Sequence, residues 1–533
     1  MQDFFVAGPF DDGDPVTGHY YEVASDDPTR PQVWGYTDAI SYRPGGVLRL
    51  HAMSSAPRAD LVMTRDGLDP KVVLTAKIAT RFAATPPDCS VKGCDWPVAF
   101  EVTIPADWPS GVYTVALSVP GHQSIGVFVL RAATPTARLA MVLTTGTGCA
   151  YNDWGGSNHY QWLCGAKGDG FAPEVSLARP WAKGLVHWPE YAPRIPHASP
   201  LLTRPSYPHM DYARANGISK KYASSGWGAY ERPFALWCEA EGIALDYLTQ
   251  HDLHADPQVL DAYPRALIVG HDEYWTREMR DHLDGWLDRG GNLARFAGNF
   301  FWQTRLSPDL QIQTCHKYEA EATDPQAGTD RITSYWDHPR IQRPAVATMG
   351  LTGTMGVYAG WSRCAAHGAG GFTVYRPDHW VMQGSGLGYG DVLGGAAKIF
   401  GYEVDGIDYE IRQGLPYPAT GTGLEGDLTI IGLSLATTLA YATGPEDADH
   451  FIGTYDAEAL AEVLHGGVMP DTVDRVSRGN GCLVEYRRGK GAVVNAGSCE
   501  WVAGLIARDK AVEHVTRTVL TGRCDGGRPQ ATR

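Results

Sequence analysis

Arg265-Ala-Leu-Ile-Val269 runs directly into Gly270-His271-Asp272-Glu273-Tyr274-Trp275-Thr276. The first five residues read as a short buried strand. Past the second stretch, Thr276 is suited to cap a helix. In that helix Met279, Leu283, Trp286 and Leu287 fall on one apolar face. Gly290-Gly291 ends it, and Asn292-Leu-Ala-Arg-Phe-Ala297 is the next strand. A histidine and two carboxylates therefore sit where a strand ends and its helix begins. In open α/β sheets that carboxyl edge is where ligands bind.

Working outward, the same rhythm holds on both sides. Leu139-Ala-Met-Val-Leu-Thr144 and Ala244-Leu-Asp-Tyr-Leu248 are apolar strand candidates. Pro233 opens a helix over Phe234 to Glu241, with Gly242 just past its end. Strand–helix alternation at this spacing predicts a mostly parallel sheet. Residues 1–133 read differently. Val47-Leu-Arg-Leu-His-Ala52, Phe100-Glu-Val-Thr-Ile104 and Val112-Tyr-Thr-Val-Ala-Leu-Ser-Val119 alternate apolar and polar between Pro/Gly turns. That pattern predicts an N-terminal β-sandwich. Ala132-Ala-Thr-Pro-Thr136 is read as the linker, residues 137–520 as an α/β domain, and 521–533 as a tail. After about residue 305 the pattern turns irregular and strand-rich, with Phe372-Thr-Val-Tyr375, Leu428-Thr-Ile-Ile431, Cys482-Leu-Val-Glu-Tyr486 and Ala492-Val-Val-Asn-Ala496 as strands. A helix is expected near 501–520.

Composition narrows the function classes. The 533 residues are 44% hydrophobic and 20% charged, with a net charge of −15 and no Lys/Arg-rich tract. This argues against nucleic acid or an anionic membrane surface as the main partner. No apolar run approaches the roughly 20 residues that span a bilayer, and the start lacks the marks of a signal peptide, so the expected address is cytoplasmic. Of the ten cysteines only Cys89 and Cys94 are close in sequence, and no finger-like second pair follows, so ordinary thiols are expected.

Four strand candidates run into polar residues: Cys149-Ala-Tyr151-Asn152-Asp153-Trp154 with Ser157-Asn158-His159-Tyr160; Gln250-His251-Asp252-Leu253-His254; His271-Asp272-Glu273; and Gly298-Asn299. In a parallel sheet these endings emerge on one edge and can converge. Each also has a plain reading. His251-x-x-His254 alone is weak evidence for a metal, and Asp252 suits a turn cap. There is no G-x-S-x-G elbow, Walker A loop or H-E-x-x-H. Gly384-Ser-Gly-Leu-Gly-Tyr-Gly390 reads as a loop. Cys149, just after the first strand, is a candidate nucleophile.

Ala150-Tyr-Asn-Asp-Trp-Gly-Gly156, Gly270-His-Asp-Glu-Tyr-Trp275, Gly298-Asn299 with Trp302, Gly401-Tyr-Glu-Val-Asp-Gly406 and Asn495-Ala-Gly-Ser498 with Trp501 occur in that order. Their order and spacing resemble the large (β) subunit of N,N-dimethylformamidase and its shorter relatives. Pro105-Ala-Asp-Trp-Pro-Ser-Gly-Val-Tyr113 fits that family's N-terminal β-rich domain. The resemblance implies a mononuclear iron amidohydrolase acting on a small formamide-type amide, on an α/β domain like that of glutamine amidotransferases. It implies iron ligation by Tyr151, Tyr160 and Glu273, with Tyr191 as the alternative second tyrosine, since the family pattern near Asn158-His159-Tyr160 is closer to Ser-Leu-Tyr. His271, Asn299 and Glu403 take the catalytic positions, and a small subunit or an oligomer is implied. The chain leaves no room for the family's extra lectin-like domain.

The implied ligand set is chemically coherent. A phenol with a pKa near 10 must lose its proton to bind metal. Two phenolates and one carboxylate, each −1, sum to −3, which a ferric ion neutralises, whereas zinc leaves −1. Oxygen-only ligation also disfavours soft metals. Trp154, Trp275 and Trp302 are either the walls of an apolar amide pocket or core packing. Two other readings stand beside this one: a metal-free, amidotransferase-like or Cys149-dependent hydrolase, and a non-catalytic binding platform.

Overall fold

The structure is a computed structural model. It describes residues 5–7, 13–14, 18–161, 172–194, 208–356, 370–436, 461–462, 466–476 and 479–522. Cys164, Cys364 and Cys524, and residues 523–533 of the expected tail, lie outside the described residues. The other seven cysteines are free and buried, Cys89 and Cys94 included.

The alternating segments near the start form two sheets. One has five strands, in the order Ser41–Tyr42, His122–Leu130, Gly111–Val119, Arg58–Arg65, Lys71–Ala79. The other has three, in the order Val33–Thr37, Val47–Ser54, Val98–Thr103. The inward residues of both meet in one buried cluster. Leu48, Leu50 and Ala52 come from the smaller sheet, and Leu61, Met63, Leu117 and Phe128 from the larger. Each fully buried side chain of this kind contributes about 1.5–3 kcal/mol. The Asp107-to-Gly111 turn is fastened by Tyr113, whose hydroxyl donates to Pro109 O at 2.6 Å and whose ring stacks on Trp108.

The centre of the molecule is a nine-stranded sheet, in the order Asp246–Thr249, Leu139–Leu143, Arg265–His271, Asn292–Gly298, Gly491–Asn495, Asn480–Arg488, Asp427–Leu435, Phe372–Val374, Val392–Leu393. The first four ladders are parallel and the last four antiparallel. The expectation of a mostly parallel sheet therefore holds for one half. The strand-rich segments after residue 305 extend the same sheet, and the chain returns at Gly491–Asn495 to pair with Asn292–Gly298.

Every residue of Arg265–His271 is buried because both faces are covered. Ala266 and Ile268 join a cluster with Met279, Leu283, Trp286 and Leu287 of the helix Arg277–Arg289. Leu267 and Val269 join the opposite one, with Phe234 and Trp237. Thr276 caps the helix as expected, its hydroxyl accepting from Met279 N, and Gly290 closes it at φ +116. The helix expected over 501–520 is two, Trp501–Ile506 and Lys510–Thr521. Arg508 turns the chain at φ +56 between them, and Asp509 caps the second by accepting from Ala511 N and Val512 N.

Chain order defines where a ligand would sit. From Leu139–Leu143 the chain crosses to one side for Asp246–Thr249 and to the other for Arg265–His271. Loops leaving neighbouring strands in opposite directions open a crevice at that switch point. A small four-stranded sheet, in the order Glu174–Ser176, Ile312–Thr314, Trp302–Leu306, Tyr274–Thr276, builds on the residues that leave this edge. Among the described residues, no helix is long and apolar enough to cross a membrane.

One buried carboxyl of this scaffold yields a pH prediction. Glu231 lies at the end of the π-helical turn Trp227–Glu231 and accepts from Thr144 N at 2.6 Å and from Thr144 Oγ1 at 3.1 Å. Burial, only partly offset by those bonds, raises its pKa from 4.5 to about 7. The folded state thus binds this proton more tightly than the unfolded chain does. Its contribution is fully present below pH 4.5 and is lost as pH rises through about 7, with a slope of up to about 1.4 kcal/mol per pH unit. Glu231→Gln keeps the acceptor without the charge. Thermal melts should find the variant more stable than the parent at pH 8 and level with it at pH 4. A parent that melts at or above the variant at pH 8 contradicts the assignment.

Candidate active site

The helix Thr145–Tyr151 follows the first strand and ends on Tyr151. With two glycines in seven residues it carries little helical signal of its own, and it was not expected from the sequence. The next loop folds back on the helix end: His159 N donates to Ala150 O and Asn158 Nδ2 to Tyr151 O. Asn158 Oδ1 accepts from Tyr160 N at 2.9 Å. The rings of Tyr151 and Tyr160 thereby come to 4.6 Å between centroids.

Arg179 pins this loop from beneath. Its guanidinium donates to Trp154 O, Ser157 O, Asn152 O and Ser176 O at 2.6, 2.9, 2.7 and 2.9 Å, and it is fully buried. A lysine has three donors and no planar fork, so Arg179→Lys leaves at least one buried carbonyl unpaired, at about 1–3 kcal/mol. The variant should melt several degrees lower. Unchanged melting would remove Arg179 from this role.

The second strand ending supplies His271 and Glu273. Gly270 sits at φ +81, where a Cβ would come within 2.3 Å of Tyr230 Cβ, so a glycine is required before the turn. Tyr160 Oη lies 2.8 Å from Tyr151 Oη, 2.9 and 2.8 Å from the two Glu273 oxygens, and 3.0 Å from Tyr274 Oη. Trp302 Nε1 donates to Glu273 Oε1 at 2.7 Å. Beside this group, His271 Nε2 is 2.6 Å from Glu403 Oε2 and 3.2 Å from Glu273 Oε2. His271 Nδ1 faces Ser224 O at 2.8 Å, an acceptor only, which assigns a proton to that nitrogen. Asn299, at φ +64, directs its amide nitrogen to Glu403 Oε2 at 3.0 Å and to His271 Nε2 at 3.2 Å. A left-handed residue with a side chain is a mark of local strain of the kind that gathers at functional sites.

Burial alone would make the His271 imidazolium weaker, but Glu403 and Glu273 outweigh it and push its pKa up to about 10. Burial raises Glu403, and the facing imidazolium only partly compensates. Glu273 moves down: burial opposes this, but the bond to His271, Lys317 and Tyr160 prevail. Tyr151 is driven well above the ordinary phenol range by burial and then by the Glu273 charge.

Two cations missed by the sequence reading flank the tyrosines. Lys317 Nζ lies 3.3 Å from the Tyr160 ring centroid, and Lys221 Nζ lies 4.4 Å from it and 5.3 Å from Tyr151. Burial pushes both ammonium groups down to about 8. Both come from short 3₁₀ turns, Lys220–Ala223 and Lys317–Glu319, which carry no periodic signal. Tyr274 was within view, inside the Gly270-to-Thr276 stretch, but was not singled out.

The other sequence candidates separate cleanly. His251 Nδ1 pairs with Thr145 Oγ1 and His254 Nδ1 with Thr276 Oγ1. Asp252 completes a capping box with Thr249 and pairs with Arg131 at 3.2 Å. Tyr191 is 90% exposed, whereas Tyr160 stands among the site oxygens. The Cys149 thiol, packed with Ala172 and Val175, is pushed up to about 12 by burial, the wrong direction for a nucleophile. Trp154 packs with Trp34 and Trp96, and Trp275 against Phe300, so both are core residues. Of the three tryptophans, Trp302 alone touches the Glu273 carboxylate.

Do these residues suit a hard cation? Tyr160 Oη has four oxygen neighbours within 3.0 Å and one proton to share among them. Separations of 2.8–2.9 Å match neighbouring oxygens around an ion with bonds of about 2 Å, since 2 × √2 is about 2.8. Tyr151 and Glu273 are buried and Tyr160 is half-buried, and the set is oxygen-only and triply anionic once ionised. It fits. His271, Glu403 and Cys499 also offer ligand atoms within 4.8 Å of one another, on the neighbouring side.

Fold and geometry together define an α/β protein with a buried tyrosine–tyrosine–carboxylate centre at its switch point. A sequence model of the family described as N,N-dimethylformamidase beta subunit-like, C-terminal, matches residues 63–514. The chain belongs to that family. No individual curated protein matches it.

Proposed function

We propose that the protein is an iron-dependent amidohydrolase that cleaves the C–N bond of a small, formamide-type amide to a carboxylate and an amine. The observation that carries this reading is the Tyr160 hydroxyl, 2.8 Å from Tyr151 Oη and 2.9 and 2.8 Å from the two Glu273 oxygens, with the His271–Glu403 pair alongside. Tyr151, Tyr160 and Glu273 would hold the iron, which when bound supplies Lewis acidity to an amide carbonyl and to water.

The chain's own groups account for the rest. Glu403, whose pKa burial raises, lies 2.6 Å from His271 Nε2 and can take a proton from attacking water and return it to the leaving amine. Nδ1 of His271, fixed by Ser224 O, keeps the imidazole oriented so that Nε2 does the exchange. Asn299 Nδ2, already aimed between His271 and Glu403, is the donor suited to a developing oxyanion. Lys221 and Lys317 supply positive charge beside the phenol rings.

At the level of architecture, we read the two N-terminal sheets of residues 1–133 as a β-sandwich. We read residues 137–520 as one α/β unit of the glutamine-amidotransferase type. The family description, beta subunit-like, favours assembly with a smaller chain or as an oligomer. A metal-free hydrolase built on Cys149 is disfavoured by that thiol's burial.

Elemental analysis of the purified protein, paired with amine release from dimethylformamide and larger formamides, tests the reading. About one iron per chain and release of amine support it. A folded protein with neither metal nor turnover overturns it.

A further inference from the structure

The 3₁₀ turn Lys317–Glu319 begins on a residue with φ +53, a left-handed conformation that is strained for a lysine. The turn brings two consecutive side chains to the centre. Lys317 lies over the Tyr160 ring, 3.3 Å from its centroid. Tyr318 stands edge-on to Trp302, with centroids 4.9 Å apart and planes at 80°. Trp302 in turn donates to Glu273. Contacts thus run from the ligand carboxylate through Trp302 to Tyr318, which is 59% exposed. Its ring therefore reaches from solvent inward to Trp302. Phe301, at 4.6 Å from Trp302, and Tyr335, at 6.1 Å from Phe301, continue the aromatic surface.

Resting on the amidohydrolase reading, we propose that Tyr318, backed by Trp302, is the specificity-determining wall of the centre, and that it favours amides bearing a flat, uncharged aromatic substituent over those bearing only methyl groups. An aromatic ring meeting an exposed aromatic edge gains roughly 2–12-fold in affinity beyond the area buried. A methyl group offers no such geometry. Lys317 Nζ, 5.2 Å from the Trp302 ring, makes the same wall unfavourable to a cationic substituent.

The test uses the full-length, metal-loaded protein with N-phenylformamide and N,N-dimethylformamide. Binding is followed by tryptophan fluorescence and calorimetry, and turnover by amine release. The parent should favour N-phenylformamide by about tenfold in Kd and in kcat/KM. Tyr318→Ala and Tyr318→Leu should cut that ratio to threefold or less, the change falling mainly on KM, and Tyr318→Phe should retain it. A ratio that survives both Tyr318→Ala and Tyr318→Leu, or equal losses on the two amides, overturns the proposal. Binding selectivity that follows Tyr318 without any amine release keeps the wall and removes the hydrolase. Amine release with no such selectivity does the reverse.

Discussion

Glu273→Gln is expected to abolish metal loading while leaving the chain folded. Glu273 is the hub of the centre: both its oxygens lie within 2.9 Å of Tyr160 Oη, Oε1 also accepts from Trp302 Nε1, and Oε2 faces His271 Nε2 at 3.2 Å. Glutamine has nearly the same shape but replaces one of these acceptors with an NH₂ group, so either Trp302 or Tyr160 meets a donor. It also removes one of the three negative charges on which the proposed trivalent ion would depend. Loss of an outer partner of a metal ligand costs about 10–100-fold in affinity or activity, and loss of a direct ligand should exceed that. Iron content should fall below about a tenth of the parent's, with the visible phenolate-to-iron band gone and amine release down by at least about a thousandfold. The melting temperature should stay within a few degrees, because the nine-stranded sheet beneath does not depend on this side chain. Full iron retention in the glutamine variant would remove Glu273 from the ligand set and with it the proposed chemistry.

The legibility of this site followed the periodic elements. Tyr151, His271, Glu273 and Asn299 all stand one helix or one turn beyond a run of apolar residues, and such runs are visible as strands. Parallel pairing then places their ends on one edge whatever lies between, which is why residues more than a hundred positions apart could be grouped before any contact was known. Glu403 entered only through the family resemblance. Its loop follows no strand of the parallel half, and it reaches the centre because Val404 bridges to Ser498 and Asp405 N bonds to Gly497 O. Lys221, Lys317 and Tyr318 were illegible for a stricter reason. They sit on single 3₁₀ turns, where side-chain direction is decided by tertiary packing and a positive φ at Lys317. The antiparallel half of the central sheet was seen as strands but not as sheet, since alternation identifies a strand and says nothing of its neighbour. Trp275 shows the converse limit. Next to Tyr274 in sequence, it points into a core, because adjacent residues of a strand face opposite ways.

Arg295→Met should be the most destabilising substitution on the floor of the site. Arg295 is fully buried in the strand Asn292–Gly298, between Asp272 at 2.8 Å and Asp405 at 2.5 Å, both fully buried as well. Each carboxylate is also a structural junction. Asp272 Oδ1 accepts from Gln250 Nε2 and Trp275 Nε1, and Asp405 Oδ1 accepts from Phe300 N. One guanidinium therefore ties the turn carrying Glu273 to the loop carrying Glu403 and the strand leading into Asn299. Methionine fills most of the volume but leaves two buried carboxylates without a counter-charge, at about 3–5 kcal/mol. For a cooperative unit this large, with about 2–4 °C per kcal/mol, the melting temperature should drop by roughly 10 °C. Adding Asp405→Asn removes one stranded charge while keeping an acceptor for Phe300 N, so the double variant should regain part of the loss, with a coupling of about 0.5–3 kcal/mol. The separation from the first prediction is sharp: Arg295→Met lowers stability first and metal content as a consequence, Glu273→Gln metal content alone. An Arg295→Met protein that melts with the parent, or a double variant that falls further than the single, would mean that the two aspartates are held by their neutral neighbours and that the ion pairs contribute nothing.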